Sequence, residues 1–260
     1  LLIGQLFGVS TVGDAFFAAS YFPYYTAVFF DGIVFLGFLP LYTQAIAEKG
    51  ETEGNRFAAE FLFLLLAFTG FLVFIFFMVS PWLIHQLVPG FHSSAQHLTL
   101  ELFQILSFLI PCLTLASFFR ALNSYFERNT VAASSGVIET LGMILLTLLT
   151  WKIGGVYAAA WSAVAGTLLA CGSQMIFGAL SCRIFPRTFS LKSSWFRNLW
   201  AFLIPLFMVW GFQQIPLLIL NRFGSGMWQG TISALSISQT IMGVPMALVG
   251  HTVLLTVFLQ

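Results

Sequence analysis

Charge is what this sequence has least of. Among 260 residues there are 10 Lys or Arg and 9 Asp or Glu, 7% of the chain, where soluble domains carry about 25%. That scarcity excludes a water-facing surface over most of the length. The cations are scattered, which excludes the basic stripe that follows nucleic-acid phosphates. Cysteine is sparse as well: Cys112, Cys171 and Cys182 lie in apolar context without C-x-x-C or metal-ligand spacing, and they read as packed small residues. Catalytic signatures are missing. No G-x-S-x-G elbow, H-E-x-x-H helix or Walker-type glycine loop occurs, and His92 and His97 share a loop without a metal-ligand pattern. The expectation is a protein that is not an enzyme, with no cofactor and no metal.

What is abundant is apolar side chain, 59% of residues with 31 Phe. Apolar runs recur at about 15–47, 57–89, 98–126, 130–151, 153–182, 195–221 and 228–259, after a stub at 1–9. Each is long enough to cross a hydrocarbon slab about 30 Å thick. Stretches such as Phe61-Leu62-Phe63-Leu64-Leu65-Leu66 lack the period of two that a barrel strand needs. Helices are the remaining way to satisfy the backbone in lipid. The fold class is therefore all-α, a polytopic membrane helix bundle of about seven complete transmembrane helices plus a truncated first. Leu1 and Gln260 both sit in apolar sequence, and both ends are expected to be cut. Bends are expected at Pro23, Pro40, Pro111, Pro205, Pro216 and Pro245, where a backbone donor is lost inside a span.

Orientation follows from the positive charge, because Lys and Arg stay on the cytoplasmic side. Eight fall on one side (Lys49, Arg56, Arg120, Arg128, Arg183, Arg187, Lys192, Arg197) and two on the other (Lys152, Arg222). The connections at 48–56, 120–128 and 183–197 are thereby cytoplasmic and the 90–97 loop is external. The basic stretch at 183–197 is also the candidate boundary. It divides a six-helix bundle at 1–182 from the first two helices of a second bundle at 198–260. Lack of any sizeable soluble segment disfavours an ATP-driven pump.

An ionisable group within a span costs about 2.5–3.5 kcal/mol on insertion scales and by default faces the bundle interior. Asp14 heads the first run, where a helix-dipole role and a cavity role are equally open. Asp31, in Phe29-Phe30-Asp31-Gly32, has apolar neighbours on both sides and points to a cavity. Glu139 and His251 also lie within spans, whereas Glu101 and Arg222 sit near span ends where they can snorkel. The small residues from Ala158 to Gly166 permit close helix approach.

Several motifs recur in a fixed order: Phe7-Gly8, Asp14-Ala15-Phe16-Phe17, Phe22-Pro23, Gly32, Phe38-Leu39-Pro40, Pro81-Trp82, Pro89-Gly90-Phe91, Pro111, Ala121-Leu122-Asn123, Ile204-Pro205, Leu220-Asn221, Ser233 and Val244-Pro245. In order and spacing this resembles the MurJ/MviN lipid II flippase family over essentially the whole chain, with one residue missing between Pro23 and Gly32. The resemblance implies the MATE-like fold of the MOP exporter superfamily. It also implies a bacterial cytoplasmic (inner) membrane location, and flipping of lipid II, an undecaprenyl-pyrophosphate-linked peptidoglycan precursor, from inner to outer leaflet by alternating access.

Family members line the cavity with arginines that suit a pyrophosphate. The resemblance places two of them ahead of Leu1, a third near Thr26-Ala27 and a fourth at Thr240, with an acid at Gln239. The last positions are not Arg or acid here, which marks a divergent member. The implied substrate cavity is Asp14, Thr26, Asp31, Ser233, Gln239 and Thr240. Implied partners are the lipid-linked sugar-pyrophosphate, membrane lipids and cell-wall synthesis enzymes, with coupling to Na⁺ or membrane potential. Alternatives are a cation-coupled drug or polysaccharide-unit exporter of the same superfamily, which acids without arginines favour, or an inactive scaffold.

Overall fold

A computed structural model of the chain describes residues 2–179, 208, 211–212, 214–216 and 218–258. The expected linker at 183–197, Cys182 and the start of the expected span at 195–221 lie outside the described residues. All regular structure among the described residues is helical: α1 Leu2–Phe7, α2 Thr11–Gly32, a π-helical stretch Ile33–Phe38, α3 Leu39–Lys49, α4 Glu51–Leu87, α5 Ser93–Ser107, α6 Leu109–Tyr125, α7 Asn129–Ala179, helical residues at 208, 211–212, 214–216 and 218–225, and α8 Thr231–Phe258. Four of the described helices, Thr11–Lys49, Glu51–Leu87, Ser93–Tyr125 and Asn129–Ile176, are long and apolar enough to cross a membrane.

The breaks have local causes. Pro40 has no N–H for the carbonyl four residues back, and its ring crowds that carbonyl. The chain widens ahead of it into π turns, with the Leu39 N–H donating to the Val34 carbonyl. Pro111 acts likewise on Ser107, so the expected run at 98–126 divides into α5 and α6 at Phe108. Pro23 is accommodated within α2 and Pro81 within α4. The runs expected at 130–151 and 153–182 form α7, whose two arms turn back on each other. The turn is at Gly155, with φ of 55° and ψ of −135°, rather than at Lys152. Only glycine adopts that conformation readily.

The arms of α7 pack antiparallel. Gln174 Nε2 donates to the Val131 carbonyl at 2.8 Å and Thr167 Oγ1 to Glu139 at 3.0 Å. A Cβ on Gly166 would fall 2.7 Å from the Glu139 carbonyl oxygen, so the small residues there do set a close approach.

Two apolar cores result. One gathers α2, the π stretch, α3, α4 and α6 around Phe38, whose ring lies 4.6 Å from Phe61 and 5.0 Å from Phe118. The other joins α2, α4, α5, α7 and α8 through residues such as Ile84, Leu102, Phe103, Leu106, Ala160 and Ile232. Outside these, Phe63, Phe71, Phe74, Met78 and Trp82 of α4 stand outward. A row of such rings is at home in hydrocarbon, not water. Cys171 is buried and Cys112 half-buried, both as free thiols.

Candidate functional site

α2 carries the site along its length, from Asp14 near one end to Asp31 near the other. Seventeen residues at 1.5 Å each separate them by about 25 Å, close to the hydrocarbon thickness.

At the first end Asp14 is buried, 3% exposed. Its own helix is capped by Ser10, whose Oγ accepts from the Gly13 N–H, so the Asp14 carboxylate is free to serve a different helix. Oδ2 accepts from the Gly230 N–H at 2.6 Å, and Oδ1 accepts from both the N–H and the Oγ of Ser233 at 2.7 Å. Asp14 is thus the N-terminal cap of α8, with a negative charge on the positive end of the helix dipole.

Glycines bring the two elements together. A Cβ on Gly230 would meet Val9 Cγ1 at 2.2 Å, and one on Gly13 would meet Ser233 Oγ at 2.7 Å. One turn further along, Tyr21 Oη and Ser236 Oγ hydrogen-bond at 2.6 Å. The loop after α4 joins the same contact, with the Gly90 N–H donating to Ser225 Oγ at 3.2 Å. Gln229 Nε2 donates to Thr11 Oγ1.

Beyond this latch lies a cavity of about 450 Å³. Phe17, Ser20, Tyr21 and Tyr24 of α2 line it, facing Leu109, Met143, Ala163, Gln239 and Thr240. Hydroxyl, amide and aromatic edges on apolar walls suit a large amphipathic guest better than a small ion.

A charged cluster follows at the far end. Arg120 Nη2 pairs with Asp31 Oδ1, and Ser117 Oγ donates to the same oxygen. The guanidinium lies over the Phe35 ring at 4.9 Å. Glu139, bonded to Thr167, is within electrostatic reach of both Arg120 and Asp31.

Five of the six residues expected at the site therefore fall in three places, and Thr26 lies in none of them. Asp14 and Ser233 meet in the latch. Gln239 and Thr240 line the cavity, and Asp31 stands in the charged cluster. Thr26 is 1% exposed and its hydroxyl finds no partner among the described residues. Sequence reasoning missed Arg120, counted among cytoplasmic-loop cations but standing within α6, and the Tyr21–Ser236 bond. The available signal was spacing: Arg120 is five residues ahead of the helix end at Tyr125, which puts it inside the span.

The sequence profile described as "Lipid II flippase MurJ" matches residues 3–260. This chain belongs to the MurJ lipid II flippase family. A solved structure described as "Lipid II flippase MurJ, inward closed conformation" superposes with a TM-score of 0.75 at 22% sequence identity, covering 94% of this chain and 50% of that one. At that identity the likeness establishes the fold. This family member spans half the length of the solved structure it matches. No match was found among curated proteins. The chain is a helical membrane protein of this transporter family.

Proposed function

We propose that the chain forms the N-terminal bundle, with the opening helices of the second bundle, of a lipid II flippase in the bacterial inner membrane. The family match over residues 3–260 carries this reading. The protein is then a transporter rather than an enzyme, and it moves cargo by alternating access. The sugar-pyrophosphate head crosses through the cavity beside Tyr24, Gln239 and Thr240 while the prenyl tail stays in lipid.

The latch supplies the gate. Asp14, Ser233, Tyr21 and Ser236 tie α2 to α8 at the end where the connection between α4 and α5 lies, the external end by the distribution of Lys and Arg. Opening that end requires releasing a cap and an adjoining hydrogen bond, a change of a few kcal/mol that cargo binding can offset. Coupling to Na⁺ or to membrane potential drives the cycle, and the remaining proposed partners are membrane lipids and cell-wall synthesis enzymes.

Complementation tests the reading. The full-length gene should restore growth to a bacterium depleted of its lipid II flippase. Normal insertion into the membrane without restored growth would refute it. One observation favours a second reading, a cation-coupled exporter of the same superfamily: Asp31 and Glu139 outnumber Arg120 in the charged cluster.

A further inference from the structure

The charged cluster is the continuation of the cavity wall. On α2 the cavity-lining residues Phe17, Tyr21 and Tyr24 lead by helical spacing through Val28 to Asp31. Leu109 of the wall leads along α6 through Leu113 and Ser117 to Arg120. Met143 leads back one turn to Glu139, and Ala163 leads on one turn to Thr167. The α2 and α6 faces that bound the cavity thus run on, about two and three turns further, to the Asp31–Arg120 pair, and the two arms of α7 carry the bonded Glu139 and Thr167 one turn beyond the wall.

We infer that Arg120 is the residue that receives the diphosphate of the cargo, with Asp31 as the internal competitor for its guanidinium. The inference rests on the reading of the chain as a transporter of a lipid-linked diphosphate. Such a head group carries charge that hydrocarbon does not solvate, so a cation must meet it on the way. Among the described residues Arg120 is the one Lys or Arg on these faces. Arg56 is engaged by Glu53 and Glu60, and Lys152 sits beside the turn of the α7 hairpin.

The mounting suits the task. Phe35 supports the guanidinium face and Asp31 takes one Nη2 donor, while the planar fork keeps further donors for a second anion. Asp31, itself held by the Ser117 hydroxyl, keeps the guanidinium in place, as an orienting carboxylate does in a preorganised site. Asp31 and Glu139 also set a charge cost on entry. Only an anion that binds the fork more strongly than one carboxylate, as a diphosphate does, gains from displacing Asp31.

The test uses the full-length protein in detergent with undecaprenyl diphosphate as probe and phosphatidylglycerol as the singly charged anionic control. Affinity is read by native mass spectrometry and thermal stability is followed in parallel. Wild type should prefer the diphosphate. Arg120→Gln should weaken that binding about tenfold or more, the worth of a lost charge-assisted hydrogen bond. Asp31→Asn should tighten it, because the competitor is gone. Should Arg120→Gln fail to fold with Asp31 left unpaired, the double variant Asp31→Asn with Arg120→Gln keeps a neutral hydrogen-bonded pair and should show the same loss.

Diphosphate binding by a folded Arg120→Gln or double variant within about twofold of wild type would overturn the inference while leaving the transporter reading intact. So would a loss in Asp31→Asn equal to that in Arg120→Gln, since the pair would then be only a brace. Wild type that shows no preference for the diphosphate would overturn both.

Discussion

At the scale of single residues, Asp14 shows how a buried carboxylate finds hydrogen-bond donors among apolar helices. Among the described residues it has no cation partner; three donors from the start of α8 take that place, and hydrogen bonds to an ionised acceptor are worth about 1.5–3 kcal/mol each. The same donors would be orphans of the α8 terminus without it. A graded series should follow in thermal unfolding of the full-length protein in detergent. Ser233→Ala removes one bond and should cost about 1 kcal/mol. Asp14→Asn loses the charge and turns an amide donor toward backbone donors, and should cost about 2–3 kcal/mol. Asp14→Ala should cost the most. If Ser233→Ala proved as damaging as Asp14→Ala, the capping account would fail, because the two backbone bonds survive in the first.

Among the helices, glycine and proline decide where apolar runs end. Gly155 turns α7 back on itself at a backbone conformation that costs a side-chain-bearing residue about 1–3 kcal/mol, and Gly166 lets the returning arm lie against Glu139 and Met143. Gly155→Ala should therefore lower stability by about that amount while leaving the arms in contact. Gly166→Val, whose branched side chain meets backbone on the opposite arm, should cost more and weaken the Thr167–Glu139 bond as well. Thermal unfolding of the two variants checks the order.

Much of this architecture was legible beforehand. Apolar runs of spanning length marked the helices, and the prolines at 40 and 111 marked real breaks, because both effects are local in sequence. The α7 turn was read at Lys152, since a charge marks a membrane surface but does not fix which residue bends. Pairings across long separations were not legible. Asp31 and Arg120 are 89 residues apart and Asp14 and Ser233 are 219 apart, and no periodicity connects them. Arg120 was counted as a loop cation because the distribution of positive charge treats every Arg as solvated, whereas a carboxylate on a neighbouring helix holds this one inside.

For the whole molecule, three zones lie in order along α2: a latch, a cavity and a charged cluster. If, as proposed, these form one path whose external end the latch ties shut, water-borne reagents should enter from the other end alone. Single cysteines at Gln239 and Thr240, on the cavity wall, report on this in a background with Cys112, Cys171 and Cys182 replaced. In oriented vesicles, a membrane-impermeant maleimide should label Thr240→Cys from the cytoplasmic face and leave it unlabelled from the external face. Adding Asp14→Ala and Tyr21→Phe to the same background removes the α8 cap and the adjoining bond to Ser236, which should raise external labelling. The single replacement Tyr21→Phe, which leaves the Asp14 cap in place, should raise it less. Equal labelling from both faces before any change in the latch would mean that these contacts do not close the path, and that the gate lies elsewhere in the protein.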